Sequence, residues 1–185
     1  LNIVKRSFGS KASHAIEVQG NDNQSSVSYL AEGVETTLSI KESVDHESHV
    51  LAVSGKQNFT NIDPELLADK VILCLDNDGI APQNDPVVDR TIRYLEEHGK
   101  EVYITMPNDI KTDFNDLLKA EGHEAIRDKI CQDIANNFNL KDENIIAEIA
   151  DKVKDNKSNF DAGSYIEEMK KAVSEVMSSQ FEINN

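Results

Sequence analysis

Short apolar runs separated by polar, turn-forming segments fill the first 120 residues of the chain. The most apolar run covers residues 70–75 and is nearly continuous, which is typical of a strand buried on both faces of a sheet. Shorter runs, bounded by polar loops, indicate four further strands. The pattern predicts strands over residues 15–18, 27–31, 50–54, 70–75 and 101–106.

Apolar residues at helical spacing occupy segments between these strands. In the segment 63–68, an aspartate followed by a proline indicates a helix N-cap and first helical position. The predicted helices cover residues 34–44, 63–68, 87–97 and 114–120, and the predicted loops cover 20–26, 55–61 and 79–85. Because strands and helices alternate, we predict an α/β, Rossmann-like fold with a mainly parallel sheet flanked by helices.

Beyond residue 120 only helical periodicity remains. Three apolar stripes recur at spacings of three and four residues: Ile126, Ile130 and Ile134; Ile145, Ile146, Ile149 and Val153; and Tyr165, Ile166, Met169, Val173 and Val176. Polar stretches separate these stripes. We therefore predict two parts, an α/β domain over residues 1–122 and a helical extension over residues 123–185 that packs on it or is linked to it.

The composition narrows the classes of function. No apolar run approaches the ~20 residues that cross a bilayer, so membrane insertion is excluded and a cytoplasmic location is expected. With 19 Lys and Arg against 34 Asp and Glu, the formal net charge is −15. Tight binding to a nucleic-acid backbone requires clustered basic side chains, and the group near Lys5, Arg6 and Lys11 is small. If the chain acts on nucleic acid, metal ions or another domain must supply positive charge.

Cysteines and histidines give no signature of a disulfide framework or a zinc site. Cys74 lies in the most apolar run and is expected in the core, and with Cys131 it forms no zinc motif. The histidines are scattered along the chain, and we expect all five at the surface: His14, His46, His49, His98 and His123.

Acidic residues follow two of the predicted strands directly. Glu32 ends the second predicted strand and precedes Gly33, which would let the chain turn and a ligand approach closely. Asp76 and Asp78 follow the most apolar strand, and their spacing can aim both carboxylates to one side. Because ligands of open parallel sheets gather at the carboxyl ends of the strands, these residues are the first candidates for a site.

A third group of charged residues follows the last predicted strand. Asp113 and Asp116 lie in the segment 111–118, and Lys111 is the basic residue beside them. Asp113 can equally cap the helix that begins after it, with Asp116 in the first turn, where the helix dipole favours a negative charge. A site at the sheet edge and a helix cap therefore both stay open for these residues.

Carboxylates that converge without basic partners raise each other's pKa, and a hard divalent cation relieves their repulsion. Oxygen ligands without cysteine or paired histidine favour Mg²⁺ or Mn²⁺ over zinc. Mg²⁺ commonly takes one or two protein carboxylates and completes its shell with water and phosphate oxygens. We therefore expect Mg²⁺ (or Mn²⁺) at this edge, where it could activate a nucleophile or stabilise a transferring phosphoryl group.

Three segments, in order, resemble the Toprim domain, which is shared by bacterial-type primases, topoisomerases, and certain nucleases and recombination proteins. They are YLAEGVETTLS at 29–39, VILCLDNDG at 71–79 and KTDFNDLL at 111–118. The third is most similar to Toprim domains of plasmid and phage primases and of conjugative relaxase or mobilisation proteins. Residues 7–17 also resemble the lead-in to that subgroup, so the resemblance covers residues 7–120.

This resemblance implies roles for the matching residues. Glu32 would be a general acid/base or a metal ligand, and Asp76 and Asp78 would hold Mg²⁺. The segment 79–86 departs from the family, because it is longer and more acidic than the short turn of many relatives. Further candidate site residues are Gly33, Lys111, Asp113 and Asp116.

By the same resemblance, the chain is expected to be a Mg²⁺-dependent module that acts on nucleic-acid phosphodiesters, a primase-like nucleotidyltransferase within a conjugative transfer or relaxase protein. Its partners would be DNA, reached through flanking domains, with an RNA primer and nucleotides as further candidates. A chain that begins with Leu1 fits a fragment of a larger protein. Two alternatives stay open: a non-catalytic docking module, favoured by the negative charge, and a Toprim-type nuclease with the same acidic residues.

Overall fold

A five-stranded mixed sheet organises the chain in the computed structural model, which describes residues 15–20, 25–138 and 160–183 together with residues 144, 146, 147 and 149. The strands are β1 (Ile16–Gln19), β2 (Val27–Ala31), β3 (His49–Ala52), β4 (Lys70–Cys74) and β5 (Glu101–Thr105). They lie in the order β1-β3-β2-β4-β5. β1 pairs antiparallel with β3, and the other neighbours are parallel. The mainly parallel sheet predicted from the sequence is therefore confirmed.

The register of the parallel strands brings their carboxyl ends level. Ala31 of β2 is aligned with Ala52 of β3 and with Cys74 of β4. Cys74 in turn is aligned with Thr105 of β5. Because the ladder hydrogen bonds fix this alignment, the loops that leave these four strands start at one edge of the sheet.

Helices surround the sheet. The α-helices are α1 (Val34–Lys41), α2 (Pro86–Glu97), α3 (Phe114–Glu121), α4 (His123–Asn137) and α5 (Ala162–Ile183), and short 3₁₀ helices cover Lys56–Asn61, Pro64–Leu66 and Pro82–Asn84. α2 begins where it does because the Asp85 carboxylate accepts hydrogen bonds from the backbone N–H of Val87 and Val88, with Pro86 at the first position. Within the described residues, no helix has both the length and the apolar composition needed to cross a bilayer.

The two faces of the sheet carry separate hydrophobic clusters, as the alternation of side chains along a strand requires. On β4, Ile72 and Cys74 face a cluster that includes residues of α1, α3, α4 and α5. Val71 and Leu73 face a second cluster, with residues of α2 and the first 3₁₀ helix. All four side chains are fully buried. The prediction of a strand buried on both faces, with Cys74 in the core, is confirmed.

Helices α4 and α5 join the first of these clusters. Its members include Ile126, Ile130, Ile134, Ile149, Tyr165, Ile166 and Met169, which belong to the three predicted apolar stripes. In the second stripe, Ile145 and Val153 lie outside the described residues. Residues on both sides of position 122 thus contribute to one cluster, and the division of the chain at that position stays a prediction.

Several boundaries differ from those predicted. The helix predicted over 34–44 ends at Lys41, and the predicted loops 55–61 and 79–85 each contain a 3₁₀ helix. The helix predicted over 63–68 is a single 3₁₀ turn, although Asp63 caps it as expected by accepting the Glu65 N–H at 3.1 Å. One turn gains too few hydrogen bonds to nucleate an α-helix, so tertiary contacts decide such segments. Part of the predicted loop 20–26 lies outside the described residues.

His49 is buried near the amino ends of β2 and β3 rather than exposed. Its Nδ1 lies 3.1 Å from Ser28 Oγ, and its Nε2 lies 3.2 Å from Glu17 Oε2. These partners satisfy both ring nitrogens, and burial lowers the pKa of His49. The expectation that every histidine is exposed is wrong for His49. It is confirmed for His46, His98 and His123, and His14 lies outside the described residues.

Candidate functional site

Glu32 and Asp76 lie side by side at the carboxyl edge of the sheet. Glu32 follows β2 directly, and Asp76 follows β4 after the buried Leu75. Since β2 and β4 are hydrogen-bonded neighbours in register, their loops bring both carboxyl groups to one place. Glu32 Oε1 and Asp76 Oδ1 are buried and accept no hydrogen bond from any described residue. Buried polar atoms rarely lack a partner in native proteins, so two such oxygens side by side make this edge the candidate site.

Burial and repulsion make both groups weaker acids than usual. Burial, followed by the charge of Asp76, raises the pKa of Glu32 to about 7, against the opposing effect of Lys56. Burial, followed by the charges of Asp113 and Asp78, raises the pKa of Asp76 to about 6. Negative charge at this edge is therefore incompletely compensated, which is the condition under which carboxylates bind a divalent cation favourably.

Asp78 sits on an exposed turn that Asn77 holds in place. The Asp78 side chain is 62% exposed. The Asn77 amide nitrogen donates to the carbonyl oxygens of Pro107 and Asn108 at 2.9 and 3.1 Å. Its amide oxygen accepts from the backbone N–H of Gly79, which has a φ of 83°. The loop after β4 is thereby tied to the loop after β5. Asn77 is not among the residues predicted from the sequence, although its place between two aspartates is a signal that could have identified it.

The positive charge of the site comes from Lys56, which the sequence analysis missed. Lys56 begins the 3₁₀ helix after β3, and its Nζ lies 3.1 Å from both Asp78 Oδ2 and Asp85 Oδ2. The same nitrogen lies 3.8 Å from Glu32 Oε1. Although burial acts to lower it, hydrogen bonds to Asp78 and Asp85 raise the pKa of Lys56. No motif marks this lysine, because only the register of β2, β3 and β4 brings it to the carboxylates.

Lys111, by contrast, is exposed and contributes its backbone. It has a φ of 66°, and its N–H donates to the carbonyl oxygen of Asn77 at 2.6 Å. Among the described residues, the ion pairs to Glu32 and Asp78 come from Lys56 and none comes from Lys111. The structure does not bring the Lys111 side chain onto these carboxylates, and a role for it at the site stays a prediction.

Asp113 and Asp116 form a capping box at the start of α3. The Asp113 carboxylate accepts the Asp116 backbone N–H at 2.9 Å, and the Asp116 carboxylate accepts the Asp113 N–H at 3.3 Å. The helix cap predicted from the sequence is therefore observed, and a role for Asp113 and Asp116 at the site stays a prediction. The second oxygen of Asp113 accepts the Thr36 hydroxyl at 3.3 Å, and its charge raises the pKa of Asp76.

Gly33 is the N-cap residue of α1 and leaves open space beside Glu32. Its φ of −117° is accessible to every residue, so the turn at this position does not use the conformational freedom of glycine. Among the described residues, a Cβ at Gly33 would meet only Thr36 Oγ1, at 3.9 Å. The geometry leaves room for a ligand to approach this backbone, and that approach stays a prediction.

The oxygen donors at this edge fit a hard divalent cation. Within the described part of the chain, no three His, Cys, Asp or Glu side chains are arranged to enclose a metal ion. Mg²⁺ needs no such enclosure, because it commonly uses one or two carboxylates together with water and phosphate oxygens. The unpartnered oxygens of Glu32 and Asp76 and the exposed carboxylate of Asp78 are donors of this kind. We call these three residues the acidic cluster.

A cavity of about 410 Å³, lined in part by Asn77, opens beside the loop after β5. Its lining includes the amide side chains of Asn108 and Asn136, together with Lys129 and Asp133. Lys129 Nζ and Asp133 Oδ1 form an ion pair at 2.8 Å. Because these charges compensate each other, the cavity lacks the unbalanced negative charge that distinguishes the acidic cluster.

Comparison with known proteins adds a family match to this geometry. The family model described as the Toprim domain matches residues 27–124. Among curated proteins, none matches the chain. The matched residues include the whole acidic cluster, Lys56 and the capping box of α3.

Two solved structures are similar to parts of the chain. The crystal structure of the Aquifex aeolicus primase, with its zinc-binding and RNA polymerase domains, has a TM-score of 0.46 and 19% identity, covering 67% of this chain and 30% of that one. The crystal structure of a DNA primase domain from Pseudomonas aeruginosa has a TM-score of 0.44 and 16% identity, covering 84% of this chain and 51% of that one. The chain therefore spans about half the length of the second solved chain and less than a third of the first.

Proposed function

We propose, from the premise that this chain belongs to the Toprim family, that it is a Mg²⁺- or Mn²⁺-dependent module acting on nucleic-acid phosphodiesters. The resemblance seen in the sequence is confirmed for the family, and the α/β fold is confirmed as well. Within the family, we propose a primase-like nucleotidyltransferase that forms part of a conjugative transfer or relaxase protein in the cytoplasm.

One observation carries this proposal, namely the buried oxygens of Glu32 and Asp76 that accept no hydrogen bond from the described residues. In a purely structural pair, donors would point at these oxygens, since a buried acceptor left unpaired costs about 1–3 kcal/mol. A divalent cation and its water molecules would satisfy both groups. The raised pKa values of Glu32 and Asp76 support the same conclusion.

Each member of the acidic cluster would have a distinct part in the reaction. Metal held by Asp76 and Asp78 would supply positive charge for a triphosphate or a scissile phosphate. Glu32 would carry the proton: burial and the charge of Asp76 raise its pKa to about 7 without metal, and a bound cation would lower that pKa and favour the carboxylate form that accepts a proton. Deprotonated, Glu32 can accept the proton of an attacking 3′ hydroxyl. Asn77 would keep the turn that bears Asp78 in position.

The proposed partners are DNA, an RNA primer and nucleotides, brought to the site by other domains of a larger protein. The net charge of −15 supports this arrangement, because it opposes unaided binding to a phosphate backbone. The same charge favours a second candidate function, a docking module without turnover. A nuclease that uses the same acidic cluster is a third outcome to be tested.

The test is a nucleotidyl-transfer assay with the chain, single-stranded DNA, labelled nucleoside triphosphates and Mg²⁺ or Mn²⁺. We expect labelled product from the unaltered chain and a loss of about 100-fold or more in the double variant Asp76→Asn, Asp78→Asn. The matched control is Asp69→Asn, Asp89→Asn, which removes the same charge from exposed positions. That control should retain activity.

Calorimetric titration of Mg²⁺ into the chain measures metal binding independently of turnover. Metal binding that vanishes in the double variant, without transfer or cleavage, would favour the docking module. Cleavage of labelled DNA without transfer would favour the nuclease. A chain that neither binds metal nor reacts would contradict the proposed function.

A further inference from the structure

Lys56 joins the acidic cluster to a carboxyl group outside it. Its side chain is only 14% exposed. Its Nζ lies 3.1 Å from Asp78 Oδ2 and 3.8 Å from Glu32 Oε1, both within the cluster. The same Nζ lies 3.1 Å from Asp85 Oδ2, at the start of α2. A single protein cation therefore already occupies one side of the proposed metal site.

The backbone around Lys56 fixes its starting point. The two preceding residues, Ser54 and Gly55, have φ values of 57° and 116°. The Gly55 N–H donates to the carbonyl oxygen of Glu32 at 2.8 Å. Asn58 closes the turn, because its backbone N–H donates to the Gly55 carbonyl oxygen and its side chain donates to that of Ser54. A positive φ at a residue other than glycine persists only where surrounding contacts hold it, so this turn is held firmly against β2.

The two close partners of Lys56 differ in their freedom to move. Asp85 has a side chain that is only 8% exposed, and its other oxygen accepts backbone N–H groups of α2 at 2.8 and 3.4 Å. Asp78 is 62% exposed. Asp85 is therefore a fixed partner of Lys56, whereas Asp78 is free to exchange the lysine for another cation.

We propose that Lys56 is a built-in counter-cation that competes with the divalent metal for Asp78. Without metal, Lys56 holds Asp78 and compensates part of the acidic cluster. When metal binds, Asp78 passes to the metal and Lys56 keeps Asp85. This inference rests on the proposed function, because it takes the acidic cluster to be the metal site. Since like charges repel at short distances, Lys56 weakens metal binding while it stabilises the metal-free fold.

The test is a calorimetric titration of MgCl₂, repeated with MnCl₂, into the full chain and its Lys56→Met and Lys56→Gln variants. We expect both variants to bind metal about three to ten times more tightly and to unfold at a lower temperature without metal. The matched control is Lys119→Met, which removes an equal charge from the exposed face of α3. Its metal affinity should stay within about twofold of the unaltered chain.

A charge-conserving variant tests the opposite direction. Lys56→Arg should bind metal more weakly than the unaltered chain, because a guanidinium group can hold a carboxylate such as Asp78 with two hydrogen bonds. If circular dichroism shows that neither Lys56→Met nor Lys56→Gln folds, the metal affinity of Lys56→Arg is the test of the competition. Tighter or unchanged metal binding in that variant would then overturn the proposal.

The remaining outcomes separate this proposal from the proposed function. Unchanged or weaker binding in folded Lys56→Met and Lys56→Gln would overturn the competition. The metal site would still stand if binding vanished in Asp76→Asn, Asp78→Asn. Metal binding found only in the Lys56 variants would support the competition, and metal binding found in no chain would overturn both proposals.

Discussion

The amino and carboxyl edges of the sheet both bury polar side chains, but only the carboxyl edge leaves buried carboxylate oxygens without a partner among the described residues. At the amino edge, Ser28 Oγ accepts the backbone N–H of Ala68 at 2.9 Å and lies 3.1 Å from His49 Nδ1. His49 reaches Glu17 through its second ring nitrogen. Serine, histidine and glutamate in a row could suggest a nucleophile. Ser28 is fully buried and already holds a backbone amide, so this network is structural.

The carboxyl edge buries polar groups and leaves them incomplete. Glu32 Oε1 and Asp76 Oδ1 accept no hydrogen bond from the described residues, and the pKa values of both residues are raised. Lys56 compensates only part of the charge. The comparison teaches that a buried polar group does not by itself mark a site. A single unpartnered buried group does not either, since the hydroxyls of Tyr29 and Tyr165 also lack a partner among the described residues; the carboxyl edge differs because two carboxylates lack one side by side.

The largest expected change in stability that would test this contrast comes from Glu32→Gln in the absence of metal. Folding raises the pKa of Glu32 from 4.5 to about 7. Glu32 therefore makes its full contribution to the free energy of unfolding below pH 4.5, its pKa in the unfolded chain. That contribution is lost as the pH rises through about 7, its pKa in the folded chain. As the pH rises through these two pKa values, we expect the unfolding free energy of the variant to increase relative to that of the unaltered chain, by up to about 3 kcal/mol.

Urea unfolding at about pH 5 and about pH 8 measures the effect of Glu32→Gln. Glu35→Gln, at the exposed start of α1, is the matched control for the chemical exchange. Identical pH dependence in the unaltered chain and the Glu32→Gln variant would mean that ionisation of the buried Glu32 does not destabilise the fold.

An intermediate effect is expected from Ser28→Ala at the amino edge. The variant leaves the Ala68 N–H and His49 Nδ1 without a partner, which should lower the unfolding free energy by about 1–3 kcal/mol. Metal binding, measured by calorimetry, should not change. Ser178→Ala on the exposed part of α5 is the control. Weaker metal binding in Ser28→Ala would show that the two edges are coupled and would break the comparison.

The smallest change in stability is expected from Gly33→Ala. Its φ of −117° and the open space around it allow a Cβ. The free energy of unfolding, followed by the melting temperature, should therefore change by less than about 1 kcal/mol. If a substrate passes close to this backbone, nucleotide affinity should fall while affinity for Mg²⁺ alone stays the same. Equal nucleotide affinity in both chains would remove Gly33 from the site.

Much of the fold could be predicted because its signals are local. The apolar run of β4 indicated a strand buried on both faces, and Asp63 indicated a cap. The nearness of Glu32 and Asp76 also followed, since parallel strands end at one edge. Short 3₁₀ turns could not be predicted in the same way, because too few residues carry their signal.

By itself, the sequence determined the strands, the burial of β4 on both faces and the acidic residues that follow the strands, because these depend on side chains only a few positions apart. Only the tertiary structure decided that Lys56 meets Asp78 and Asp85, and that His49 is buried with partners. It alone left Glu32 and Asp76 with unpartnered oxygens. These features depend on groups from segments that are distant in the chain. The register of the sheet decides whether those groups lie within hydrogen-bonding distance of one another.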